Sequence, residues 1–171
     1  MHKNIDKIAV KIIMMIAIVL LACSLTVENV KAQAGKLPPF RMMQVNGKVF
    51  KAEDLPMEKP IIIIYFSPEC DHCDKLMKEL MKQTEGLKKA SIAMITYLPV
   101  EKVLEFEKTY SLKKYSNIYA GTEGNSFFLR NYYKLTEMPF AALYSKNGDF
   151  IKSYNKEIDL EDLLTRLNNL N

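Results

Sequence analysis

Apolar residues run without a break from Ile61 to Phe66. Four isoleucines and then Tyr65 and Phe66 predict a strand covered on both faces. Ser67 and Pro68 end it. Over residues 74–89 the period changes to a helical one, with Leu76, Met77, Leu80, Met81 and Leu87 on one stripe. Methionines in such a stripe are read as core. Residues 91–98 predict a second strand, ended by Pro99. A helix follows over 100–110 with Val103, Leu104 and Phe106 inward, then a short strand at 117–120. Residues 123–133 predict an aromatic helix or turn whose Phe127, Phe128, Leu129, Tyr132 and Tyr133 are read as core packing. Two Asn-Gly pairs, Asn46-Gly47 and Asn147-Gly148, each sit between short apolar runs, the signature of a hairpin. A last helix over 158–170 places Leu160, Leu163, Leu164 and Leu167 on one side. Strands and helices alternate first, and a hairpin comes late. That order predicts a mixed central sheet with helices on both faces.

Length and charge narrow the class. A chain of 171 residues suits one ordinary domain with a short appendage. Residues 1–32 carry four lysines against one aspartate and one glutamate, so without them the net charge falls from +4 to +2. That balance is no nucleic-acid footprint. Lys3, Lys7 and Lys11 precede an apolar run at 12–22, which is the length of a signal-peptide core and short for a bilayer span. Residues 1–32 are therefore read as a signal peptide cut near Ala32, 33–39 as a linker and 40–171 as the domain. A second reading takes Leu20-Leu21-Ala22-Cys23 as a lipobox, with Cys23 lipidated and tethering the domain to a membrane. A third reading leaves the segment uncleaved as an anchor. All three readings export the domain, with the periplasm as the natural compartment, where disulfides form.

Candidate chemistry gathers between the first strand and the first helix. Cys70 and Cys73 form a C-x-x-C pair there, and the third cysteine, Cys23, lies in the N-terminal segment. A loop so short closes little chain, so the pair is a poor structural staple. A helix start stabilises an anion, and the thiolate is the reactive form of cysteine. The residues thus point to thiol–disulfide redox chemistry. His72 would favour a thiolate at Cys70 when protonated, while Glu69, Asp71 and Asp74 oppose it. Two other readings stay open: a structural disulfide in an exported binding module, and a two-thiolate copper(I) site. A closed zinc site needs four ligands, and four consecutive residues do not surround one ion.

A strand, C-x-x-C and helix, followed much later by Met138-Pro139 before a hairpin and a final helix, resembles the thioredoxin fold. The leading hairpin at 40–50 is similar to the extra strands of TlpA-like periplasmic thiol–disulfide oxidoreductases. The resemblance covers most of the chain after residue 39. It implies an α/β fold, a thioredoxin-like three-layer α/β/α sandwich with a mixed central sheet and an N-terminal β-hairpin extension. It implies Cys70 as the attacking thiol, Cys73 as the resolving thiol and a redox-active disulfide between them, with no other cofactor and no metal. It implies a cis-proline at Pro139 and substrate docking on the backbone of Met138. The implied partners are protein thiols and disulfides, with a membrane thiol relay as electron donor. The balance of His72 against Glu69, Asp71 and Asp74 favours reduction over oxidation. Three positions depart from thioredoxins proper. Glu69 stands where Trp is frequent, Ile64 where a buried acid lies, and Lys78 where a proline kinks the helix.

Overall fold

The computed structural model describes residues 14–15 and 35–170. The chain divides into two compact units, 1–36 and 37–171. The signal-segment and Cys23 expectations lie outside the described residues, and all that follows concerns the second unit.

Seven strands form one sheet. They are β1 (Arg41–Met43), β2 (Val49–Lys51), β3 (Ile61–Tyr65), β4 (Ser91–Thr96), β5 (Ile118–Thr122), β6 (Phe140–Tyr144) and β7 (Phe150–Asn155). Their spatial order is β2-β1-β5-β4-β3-β6-β7. The central strands β3, β4 and β5 are parallel, and β6 runs antiparallel to β3 with Tyr65 opposite Phe140. The C-terminal ends of β3 and β4 therefore share one edge of the sheet with the start of β6. The early hairpin joins the same sheet at the far edge, where Met43 pairs with Thr122. Every residue of β3, β4 and β6 is buried. This explains why their central residues are apolar without alternation, since both faces of the sheet are covered.

The helices are α1 (Asp71–Leu80), α2 (Thr84–Leu87), α3 (Val100–Thr109), α4 (Phe128–Tyr132) and α5 (Leu160–Asn169). The two faces carry unequal layers. Leu76, Met77 and Leu80 of α1, Val103 and Phe106 of α3 and Leu163 and Leu167 of α5 all pack with Ile62 and Ile64 on one face. The other face buries Ile61, Ile63 and Tyr65 under Leu129 of α4, Leu135 and the Phe40 segment.

Three expectations shift. The helix expected over 74–89 begins at Asp71, breaks after Leu80 and resumes as α2. Backbone bonds from Lys82 to Glu79 and from Gln83 to Leu80 tighten the chain at the break, the i−3 pattern of a helix end. The short strand at 117–120 extends to Thr122, because β5 is inserted between β4 and β1 and pairs with both. The aromatic segment is only partly core: Leu129 is buried, whereas Phe128 and Tyr132 remain exposed. A single turn of helix offers just one inward position.

Gly121 sits where β5 is overlaid by β1. A Cβ there would lie 2.8 Å from Met42 Cγ and 2.9 Å from the Met43 carbonyl oxygen. The methionine side chain can move but the backbone carbonyl cannot. Gly121→Ala is expected to destabilise the domain by about 1–3 kcal/mol, read as a lower urea midpoint with unchanged slope. An unchanged midpoint would show that β1 yields freely.

Candidate active site

The chain leaves β3 through buried Phe66 and Ser67 and turns at once, the Cys70 N–H donating to the Ser67 carbonyl at 3.2 Å. Cys70 is the N-cap of α1, in extended conformation, with no side-chain cap. Its carbonyl accepts the first helical bond, from the Asp74 N–H at 3.0 Å. The unpaired N–H groups of the first turn thus gather around residue 70. Cys73 stands one turn in, on the buried stripe with Leu76, Met77 and Leu80. Both cysteines are free thiols in this structure, Cys70 half-buried and Cys73 fully buried.

The two sulfurs have different environments. Burial pushes the Cys73 thiol up to about 12, against the opposing hydrogen bond from the Ser67 N–H, which lies 3.5 Å from Sγ. A hydrogen bond with Cys70 and the charge there push it the same way as burial. The position of Ile64, on the α1 side of β3, is an apolar part of this core. Cys70 Sγ instead faces the loop before β6, donating to the Met138 carbonyl oxygen at 3.7 Å. The Met138-Pro139 peptide bond is cis. Pro139 is buried, and Met138 packs against the cores on both faces of the sheet. Residues 68 positions apart in sequence thus meet at one sulfur.

The flanking charges do not all turn to that sulfur. Glu69 pairs with Lys102 of α3 at 3.2 Å. Asp74 pairs with Lys78 at 2.6 Å and accepts a short hydrogen bond from the Tyr110 hydroxyl. The Lys78 and Tyr110 bonds hold the Asp74 carboxyl below its ordinary value. Tyr110 in turn is pushed up by burial and by Asp74. Its ring continues a row of tilted aromatic contacts through Phe106, at 4.9 Å, to Phe66, a further 4.2 Å on. Asp71 and His72 are exposed and open onto a groove of about 410 Å³, walled by Lys75 and Glu79 on α1 and by residues 156–158 before α5. That second wall is tied to the proline loop: the Lys156 N–H donates to the Pro139 carbonyl at 2.8 Å, and its ammonium pairs with Glu137 at 2.9 Å. Among the described residues, no group of three or more His, Cys, Asp or Glu side chains is placed to hold a metal ion.

The structure therefore brings Cys70, Cys73, Met138 and Pro139 together, with Glu69 and Asp74 engaged by cations beside them and Asp71 and His72 on the neighbouring groove. Sequence reasoning missed Lys102, Tyr110 and Ser67. The pairing of Asp74 with Lys78 was also missed, although its i,i+4 spacing is a sequence signal that could have found it. Nothing in the sequence joins Lys102 to Glu69, because their approach depends on how α3 lies across the sheet.

Residues 52–168 match the family model of the thioredoxin-like domain. No curated protein matches the chain. Among solved structures, the chain is similar to a secreted Mycobacterium tuberculosis disulfide oxidoreductase, at 18% identity and TM-score 0.63, over 77% of this chain and 96% of that one. A thiol-disulfide oxidoreductase from Bacteroides fragilis has 18% identity and TM-score 0.62, over 80% of this chain and 99% of that one. The pneumococcal exposed lipoprotein thioredoxin has 18% identity and TM-score 0.59, over 78% and 100%. At these identities the likeness is one of fold.

Proposed function

The chain belongs to the thioredoxin-like family, and on that premise we propose that it is an exported thiol–disulfide oxidoreductase acting on protein substrates through Cys70 and Cys73. The observation that carries the reading is the asymmetry of the pair. One thiol is accessible at a helix start against the Met138 carbonyl, and the other is buried one turn behind it. In the reducing direction the Cys70 thiolate attacks a substrate disulfide. A bond forms between Cys70 and one substrate sulfur, and the second substrate sulfur leaves as a thiolate that takes a proton from solvent. Cys73, once deprotonated, attacks Cys70 Sγ and expels the first substrate sulfur. Two electrons have passed to the substrate, and the protein holds a disulfide joining Cys70 and Cys73. A dithiol donor, read as a membrane thiol relay, restores it. Met138 offers its backbone to an extended substrate segment, with Pro139 fixing the loop opposite Cys70.

Export rests on the N-terminal charge and apolar pattern and on neighbours described as secreted or as an exposed lipoprotein. Reduction is favoured over oxidation as the physiological direction. The test is equilibration of the full chain in glutathione buffers, with the Cys70 and Cys73 peptides quantified by mass spectrometry. A reversible two-electron transition is expected, nearer about −270 mV than about −120 mV. A value near the upper figure would reverse the direction. A pair that never equilibrates would overturn the activity.

A further inference from the structure

We propose that Lys102 is a positioning residue for the exchange reaction, holding the Glu69 carboxylate so that its charge does not oppose the Cys70 thiolate. The proposal rests on the reading of Cys70 as the attacking thiol. Glu69 immediately precedes Cys70, at the point where the chain turns into α1. An unpaired carboxylate there would raise the cost of a neighbouring thiolate. Lys102, on the first turn of α3, places its ammonium 3.2 Å from Glu69 Oε1 and 3.5 Å from Glu105 Oε2. The bond to Glu69 is the largest influence raising the Lys102 ammonium above the ordinary lysine value. Glu105 keeps Lys102 on the α3 side, so the ammonium bridges the helix and the Cys70 turn.

The other charges around this turn already have partners or lie elsewhere. Asp74 is held by Lys78 and Tyr110, and Glu137 beside Met138 is held by Lys156. Asp71 and His72 line the groove on the other flank of α1, with Lys75, Glu79 and Glu157. Buried Cys73 faces Cys70 from within α1. Lys102 is thus the cation that α3 brings to the turn carrying Glu69 and Cys70. The side chains are exposed, 40% for Lys102 and 59% for Glu69, so the coupling is modest and screened by salt.

The test follows the rate of iodoacetamide alkylation of the reduced full chain against pH, read at the Cys70 peptide by mass spectrometry. Lys102→Met is expected to move the alkylation profile to higher pH and to slow the reaction at pH 7 by about two- to fourfold, the scale of an exposed pair. Lys102→Arg keeps the charge and should restore the wild-type profile. The difference should vanish at about 1 M salt, where the screening length is near 3 Å. It should also shrink in a Glu69→Gln background, since Lys102 acts through Glu69. A Lys102→Met profile that superimposes on wild type overturns the proposal, as does a shift that persists undiminished with Glu69→Gln. Glutathione equilibration of the same variants separates the two levels. A wild-type pair that fails to equilibrate overturns the activity and with it the role of Lys102 in exchange. Equilibration with superimposed alkylation profiles overturns Lys102 alone.

Discussion

Cys73→Ser is expected to arrest the protein as a mixed disulfide with its substrate at Cys70, while Cys70→Ser leaves no adduct. The asymmetry of the two sulfurs is the reason. The half-buried sulfur at the N-cap can meet a substrate disulfide, whereas the fully buried one can meet only Cys70. Cys70→Ser removes the proposed nucleophile, and reduction of a disulfide-bonded peptide should fall by a factor on the order of a thousand or more. Cys73→Ser keeps the first step and removes the second, so a covalent adduct accumulates that survives non-reducing electrophoresis and carries the substrate mass. Resolution in the wild-type protein has its own pH dependence. Burial, the largest influence raising the Cys73 thiol, persists in the mixed disulfide, so its thiolate is a minor species near neutrality. The resolution rate should therefore rise about tenfold per pH unit while the thiol stays protonated. Stopped-flow mixing with a preformed mixed disulfide reads this step directly. A Cys73→Ser variant that turns over at the wild-type rate would show that Cys70 acts alone.

Glu123→Ala is expected to cost about 3 kcal/mol, the sum of two buried donors deprived of their acceptor. Glu123 follows β5 and is nearly inaccessible at 9% exposure. One carboxylate oxygen accepts from the Tyr65 hydroxyl at 2.7 Å, and the other from the Leu129 N–H at 2.8 Å. Burial and the hydrogen bond to Glu123 push the Tyr65 hydroxyl far up, so it remains a donor at every ordinary pH. Glu123 thereby fastens α4 to the last residue of β3, on the sheet face away from α1. Alanine leaves both donors unsatisfied. Glutamine keeps one acceptor and turns an N–H₂ toward the other donor, so an intermediate loss of about 1–2 kcal/mol is expected. Urea unfolding measures both, and faster amide exchange at Leu129 would localise the effect to α4. A midpoint within error of wild type for Glu123→Ala would mean that water satisfies both donors.

Much of this molecule was legible in its sequence because short-range physics governs it. The isoleucine run announced β3, since only a strand covered on both faces carries so unbroken an apolar sequence. Asn46-Gly47 and Asn147-Gly148 announced two hairpins, since their turns need positive φ, which Gly47 and Gly148 adopt. The C-x-x-C pair announced a junction of strand and helix that the structure places between β3 and α1. Element ends were less legible: the sequence periodicity carried one helix across the break at residues 81–83, because apolar spacing survives a turn that backbone bonding does not.

Packing decided what spacing could not. Three ten-residue helices pack on one face of the sheet, which no periodicity specifies, and this leaves Phe128 and Tyr132 exposed although their residue types predicted burial. The charge balance at Cys70 was also a tertiary outcome. Read along the chain, Glu69, Asp71 and Asp74 crowd one sulfur with three carboxylates. In the folded protein Lys102 arrives from α3 to hold the first, Asp71 opens onto the groove beside α1, and Tyr110 joins Lys78 on Asp74. Sequence placed the two sulfurs one helical turn apart at a helix start, because a C-x-x-C there is a local arrangement. Tertiary structure decided the electrostatic setting in which they react, because Coulomb interactions depend on distances that only the packing of α3 and the Pro139 loop against α1 creates.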